Sequence, residues 1–281
     1  MLTANTMDGS LVSEELLDEV EKSIADEGLT PTLHVIFVGD NEASESYISM
    51  KQEKAESVGI NARVHRFGES ASRDEVIGRI ETLNQDSAVD GIIVQLPVPD
   101  HLDELNLLET VAPEKDVDGL HPVNFGKLLG GGDPYFFPPT PKGIMHLLDE
   151  YDVDITGETV ALVGMGRLVG RPLSQMLQNL DATVLALNKE THDLGHFTRQ
   201  GDIVVAGAGV PELIEAEHIE PGTVVIDAGI HRIDGELVGD VKFDAVADRA
   251  RLITPVPGGV GPLTVAGLLE NTFESARRTA Q

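Results

Sequence analysis

Tyr47 and Lys51 stand four residues apart, a spacing that puts a phenol and an amine on one face of a helix. An amine works as a base near neutral pH only when desolvation or a neighbouring cation depresses its pKa. Taken without its surroundings, the same lysine reads first as a surface residue paired with Glu45 or Glu53. Gln95 ends an apolar run, Val94-Gln95-Leu96-Pro97. There an amide either orients a substrate or satisfies loop backbone. Asp118 lies in Asp116-Val117-Asp118-Gly119. It is either the acid of an Asp-Gly turn or an acceptor of paired N–H bonds from a flat heterocycle.

Two glycine-rich segments point to close backbone approach. Gly164, Gly166 and Gly170 follow the strand-like Thr159–Val163 with the spacing G-x-G-x-x-x-G, one residue longer than the usual dinucleotide fingerprint. Glycines there let the backbone meet a pyrophosphate at a helix N-terminus. Arg167, Arg171 and Lys189 could together receive a 2′-phosphate, with Glu190 as a mild objection. The second segment, Thr254-Pro255-Val256-Pro257-Gly258-Gly259-Val260-Gly261-Pro262-Leu263-Thr264, suits a rigid loop held against a ligand. His192 and His196 have the helical spacing of a metal pair but lack a third ligand nearby, so no metal is expected.

The elements that must hold these residues alternate. Leu16, Leu17, Val20 and Ile24 mark a helix beginning at Ser13, and Leu33–Val38 is a buried strand. A helix is expected from about Ala43 to Val58, and Ser72 with Glu75 has capping-box spacing ahead of another. Gly91–Gln95 is the next strand. Thr140-Pro141 caps a helix over Ile144–Tyr151. Strands follow at Thr159–Val163, Thr183–Leu187, Ile203–Ala206 and Val224–Ile226, then an Asp234-Gly235 hairpin and a short strand at Ile253. A closing helix begins near Pro262. Such alternation implies an α/β protein with parallel sheets and helical crossovers. Prolines 134, 138, 139 and 141 mark a linker between two alternating halves.

Composition narrows the function classes. The chain has 281 residues, 20 Lys plus Arg and 48 Asp plus Glu, hence a net charge of −28. That charge argues against nucleic acid as a partner. Its spread along the chain suggests adaptation to high salt. With no cysteine there is no disulfide and no thiolate metal site. No apolar run approaches a membrane span, and an amino terminus carrying Asp8, Glu14 and Glu15 without a basic residue does not read as a signal peptide. A cytoplasmic protein is expected.

Tyr47-Ile48-Ser49-Met50-Lys51, Val94-Gln95-Leu96-Pro97, Pro113–Gly119 and Thr254–Thr264 occur in that order. Together they resemble the bifunctional methylenetetrahydrofolate dehydrogenase/cyclohydrolase family, over about Val38 to Thr272. Ile226–Ile230 and Gly239-Asp240-Val241 also fit. The resemblance implies a folate-binding catalytic domain over 1–139, completed by the helix 264–281, and a Rossmann-type NAD(P)-binding domain over 140–263, with the active site in a cleft between two lobes. It implies oxidation of 5,10-methylenetetrahydrofolate with NADP rather than NAD, then hydrolysis of the methenyl product to 10-formyltetrahydrofolate, by a homodimer. Under it Lys51, Gln95 and Asp118 are catalytic. Tyr47, Pro255, Gly259 and Leu263 meet the folate. Gly164, Met165, Gly166, Arg167, Gly170, Lys189 and Ile230 bind the cofactor.

The chain departs from the family pattern at three places. Met165-Gly166 replaces a common Arg-Ser, Pro139-Thr140-Pro141 replaces Cys-Thr-Pro, and Asn188-Lys189 stands where His or Ser is frequent. The first and third bear on cofactor choice. Alternatives are a dehydrogenase that lacks the hydrolase, another two-domain dehydrogenase of shikimate-dehydrogenase type, or a non-catalytic dinucleotide-binding module.

Overall fold

The computed structural model describes residues 6–280. By internal packing it forms two units. A catalytic-side unit holds Glu15–Pro139 and the chain from Val265 onward, and a second unit holds the described residues up to Glu14 with Thr140–Thr264. The amino-terminal stretch thus packs with the second unit. The cause is local bonding: Met7 N–H donates to the Ile253 carbonyl, Ser10 N–H to that of Gly258, and Asp8 N–H to the Tyr151 hydroxyl.

In chain order the first elements are α1 (Gly9–Glu27), β1 (Thr32–Val38), α2 (Glu42–Ser57), β2 (Asn61–Phe67), α3 (Arg73–Gln85), β3 (Gly91–Val94), α4 (Glu104–Thr110) and α5 (Pro122–Leu129). Helix α1 starts before the expected Ser13 because the Asp8 carboxylate accepts the N–H groups of Ser10 and Leu11. The three strands are parallel in the order β2-β1-β3. Central β1 is buried on both faces, as a run that is apolar except for Thr32 and His34 requires. Leu33, Val35 and Phe37 pack with Ile48 and Ala55 of α2, whereas Ile36 and Val38 pack with Val76, Ile80 and Leu83 of α3. Strand β2 was not legible in the sequence. It is an edge strand whose Ala62 and Val64 enter the core on one face and Phe67 on the other, while Arg63, His65 and Arg66 break the apolar pattern. The capping box of Ser72 and Glu75 forms as spaced.

The second unit runs α6 (Pro139–Glu150), β4 (Thr159–Val163), α7 (Gly170–Asn179), β5 (Thr183–Leu187), α8 (Leu194–Thr198), β6 (Ile203–Ala206), β7 (Val224–Asp227), β8 (His231–Ile233), β9 (Glu236–Val238), α9 (Phe243–Val246) and β10 (Leu252–Ile253), before α10 (Val260–Thr279). Its sheet is parallel in the order β10-β7-β6-β4-β5, and β8 pairs antiparallel with β9. Asp234 and Gly235 turn that hairpin with φ of 50° and 91°. Two positive φ values match the twist of paired strands. No helix among the described residues is long and apolar enough to cross a membrane.

Both sheets reverse direction of growth at their first strand. β2 lies on one side of β1 and β3 on the other; β5 lies on one side of β4 and β6 on the other. Each reversal leaves a crevice beyond the carboxyl ends of the two inner strands, the usual ligand position in open α/β sheets.

Candidate active site

In the catalytic-side unit, Gln95 follows β3 and Lys51 lies on α2, which follows β1, so the switch point brings them together. The Lys51 Nζ donates to Gln95 Oε1 at 3.1 Å. It also sits 4.6 Å from the centroid of the Tyr47 ring. Lys51 is only 6% exposed. Glu45 instead pairs with Arg66 at 2.5 Å, so the surface-pair reading through that residue does not hold. Burial lowers the Lys51 pKa, while the charge of Asp118 pushes the other way. Burial raises the pKa of Asp118, with Lys51 opposing. The Tyr47 hydroxyl is held up by burial and then by Asp118, so it stays a neutral phenol. The structure thus gathers Tyr47, Lys51, Gln95 and Asp118 into one cluster.

Local structure fixes each member. Gln95 Nε2 donates to the Leu96 carbonyl at 2.9 Å, which turns Oε1 toward the lysine. The Asp118 loop is clamped on both sides. Asp116 accepts N–H bonds from His121 at 2.7 Å and Asn124 Nδ2 at 2.9 Å. Burial outweighs these bonds and pushes the Asp116 carboxyl up to about 6. Asn271 of α10 donates to the carbonyls of Val117 and Phe137 at 2.9 and 2.8 Å. Gly119 turns with φ +64°, and a Cβ there would lie 2.8 Å from the Phe136 carbonyl oxygen. Sequence reasoning missed Asp116 and Asn271, whose partners are set by tertiary packing.

In the second unit the glycine turn joins β4 to α7. A Cβ on Gly164 would lie 2.2 Å from the Gly207 carbonyl oxygen, and one on Gly170 would lie 1.9 Å from that of Gly164. No side chain caps α7. The Arg171 N–H is already taken by the Gly166 carbonyl at 3.0 Å and Pro172 has none, so it is the bare backbone of the glycine turn that forms a cradle suited to a pyrophosphate. The Arg171 Nε donates to the Met165 carbonyl at 3.1 Å and so braces the loop. Met165 and Arg167 are half-buried, and Gly166 is exposed. Lys189 is exposed beyond β5, with its Nζ 4.0 Å from Glu190. Asn188 accepts the Glu190 N–H and holds that turn. Ile230 is 63% exposed beyond β7.

The Pro/Gly loop packs closely against its own unit along part of its length. Gly259 backs onto α1, where a Cβ on Gly9 would lie 2.0 Å from the Gly259 oxygen. Leu263 is fully buried against Gly143, which is a packing role. Pro255 is half-buried. His192 precedes the five-residue α8, whereas His196 lies within it, so the two do not share a helical face. Asp193 caps that helix through the His196 N–H.

Residues 7–118 match the family model for the tetrahydrofolate dehydrogenase/cyclohydrolase catalytic domain, and residues 138–280 that for its NAD(P)-binding domain. The bifunctional protein FolD of Exiguobacterium sibiricum is 45% identical over 277 residues, covering 98% of this chain and all of that one. The crystal structure of the bifunctional FolD from Campylobacter jejuni superposes with a TM-score of 0.95 at 41% identity, covering 97% of this chain and 98% of that one. The Trypanosoma brucei enzyme, solved with NADP cofactor and inhibitor, gives a TM-score of 0.95 at 35% identity over all of both chains. The chain belongs to the tetrahydrofolate dehydrogenase/cyclohydrolase family.

Proposed function

We propose that this chain oxidises 5,10-methylenetetrahydrofolate to the methenyl form with NADP and hydrolyses the product to 10-formyltetrahydrofolate. The observation that carries this reading is the buried Lys51 amine, hydrogen-bonded to Gln95 and lying over the Tyr47 ring. The methenyl carbon lies between two nitrogens and carries delocalised positive charge. Attack by water on that carbon releases a proton, which a neutral amine can take; the carbinol hydroxyl then gives up its proton as the bond from that carbon to N5 breaks and N5 is protonated, leaving the formyl group on N10. Burial favours the neutral form of Lys51, and a cationic substrate beside it favours that form further. Its bond to Gln95 engages one N–H and leaves the lone pair to be aimed elsewhere. Tyr47 would stack on the folate, and Asp118 would accept N–H bonds from the pterin.

The oxidative step needs alignment more than a proton carrier, because nitrogen lone pairs stabilise the cation left behind. NADP, when bound, supplies the hydride acceptor. The cradle of Gly164, Gly166 and Gly170 and the uncapped start of α7 fit its pyrophosphate. Arg167 and Lys189 are the cations placed to receive the 2′-phosphate, with Met165 and Ile230 lining the same strand ends. Pro255 and Gly259 are kept as candidate folate contacts through the loop that precedes α10.

The finer reading is a cytoplasmic homodimer paired through the nucleotide-binding unit. Its acidic surface suits high salt, and its formyl product feeds purine biosynthesis. Neither nucleic acid nor membrane is a partner under this reading. The test is turnover of methylenetetrahydrofolate in several molar KCl with NADP and with NAD, following methenyl absorbance and its decay. Formation with NADP and enzyme-accelerated decay are expected. Formation without accelerated decay would leave a dehydrogenase alone. No formation with either cofactor, on folded protein, would overturn the reading.

A further inference from the structure

Beyond β6 and β7, at the same strand ends as the glycine cradle, two carboxylates interlock. Asp240 is fully buried. Its Oδ2 accepts the N–H groups of Ala208 at 2.5 Å and Gly209 at 2.9 Å, both in the loop after β6. Its Oδ1 accepts from His231 Nε2 at 2.7 Å, next to Ile230 in the segment after β7. Asp227, at the end of β7, accepts the N–H groups of Gly229, Asp240 and Val241, each at 2.9 Å. The packing tolerates no side chain between them. A Cβ on Gly229 would lie 2.3 Å from Asp240 Oδ1, and one on Gly239 would lie 1.8 Å from Asp227 Oδ2.

A buried carboxylate with three N–H donors joins its donors rigidly, because charge-assisted bonds are short and strong and an unmet donor is costly. Asp240 therefore ties the loop of Ala208 and Gly209 to the segment carrying Ile230. The first of these loops touches the cradle: the Gly207 oxygen is the atom that excludes a Cβ from Gly164. Asp227 in turn holds Asp240 by its backbone N–H.

We infer that Asp240 and His231 are positioning residues for the dinucleotide, setting the two loops after β6 and β7 in the register that the nicotinamide end requires. The inference rests on placing NADP at these strand ends. It carries a selectivity that a general stabilising role would not. Hydrolysis of the methenyl substrate consumes no dinucleotide, so loosening this clasp weakens NADP use and spares the hydrolase.

The experiment measures KM for NADP in the dehydrogenase reaction, kcat/KM for methenyl hydrolysis without NADP, and Tm, in wild type, His231→Ala, His231→Gln and Arg167→Ala. His231→Ala is expected to raise KM for NADP about tenfold, the worth of one charge-assisted bond. Hydrolysis should stay within about twofold of wild type, and His231→Gln, which keeps an N–H donor, should recover most of the loss. An unmoved KM in His231→Ala, with a raised KM in Arg167→Ala, would overturn this inference alone. An unmoved KM in both would overturn the placement of NADP. Parallel loss of hydrolysis and NADP use in His231→Ala would make the clasp merely structural and also overturn the inference.

Discussion

The two parallel sheets solve the same topological problem and furnish their switch points in opposite ways. At the β1/β3 ends the working groups are side chains: an amine, an amide, a phenol and a carboxylate, drawn from α2 and from the stretches after β3 and before α5. At the β4/β6 ends what is offered is bare backbone and the gaps left by glycine. The difference follows from the chemistry. Proton transfer needs a titratable group with a shifted pKa, which only a side chain in a chosen environment supplies. A pyrophosphate needs many weak donors at short range, which a bare backbone supplies. One chain can therefore carry two activities whose requirements are physically separate, and mutations should separate them in both directions.

The largest separation should come from the glycine side. Gly170→Ala places a Cβ 1.9 Å from the Gly164 carbonyl oxygen, so the turn must shift. An ångström of misplacement costs on the order of a hundredfold in rate, so kcat/KM for NADP should fall by about that factor while methenyl hydrolysis survives. Steady-state titration of NADP beside a hydrolase assay checks this. Equal loss of both activities would show that the two sites are not separable.

Gln95→Leu removes the acceptor of the Lys51 Nζ. Hydrolysis should fall by about tenfold or more, as expected for loss of a buried bond that orients a base. The affinity for NADP, read by calorimetry, should not move.

Asp118 sharpens the comparison through pH. Its charge holds the Lys51 pKa up against burial. Asp118→Asn should therefore lower that pKa further and move the acid limb of the hydrolase pH profile toward lower pH. A shift toward higher pH would contradict the assignment of that limb to Lys51.

The smallest effect concerns stability rather than turnover. His34 of β1 is 5% exposed, and its Nδ1 lies 2.9 Å from His65 Nε2 of β2. Burial, then His65, Arg63 and Arg79 hold its pKa down to about 4, with Asp86 opposing. Unfolded His34 takes a proton near 6.5, so its contribution is present above that pH and is lost as pH falls toward 4. The loss is about 3 kcal/mol at most. Urea unfolding between these pH values should show a dependence that His34→Gln flattens.

Legibility in the sequence followed the range of the interactions. The glycine turn, the Ser72 capping box and the Asp234-Gly235 hairpin are local, and the structure forms each where the residues place it. The motif residues around Lys51 could be named, yet whether its amine is buried or paired at the surface could not. Its partner Gln95 is 44 positions away. Edge strand β2 escaped because Arg63, His65 and Arg66 interrupt its apolar positions. Asp240 stood in a noted motif without a role, since the amides it binds are 31 and 32 positions distant. A Pro/Gly-rich loop signals close approach without saying to what, and here the neighbours are Gly143 and Gly9.

The central claim is that a buried amine in one unit drives hydrolysis while the dinucleotide site of the other works without it. Lys51→Met tests it most directly, by measuring enzyme-accelerated methenyl decay and, on the same protein, the dissociation constant for NADP. Loss of a general base predicts a fall in that acceleration of about a hundredfold or more, with NADP affinity within about twofold of wild type. Full hydrolase activity in Lys51→Met would contradict it.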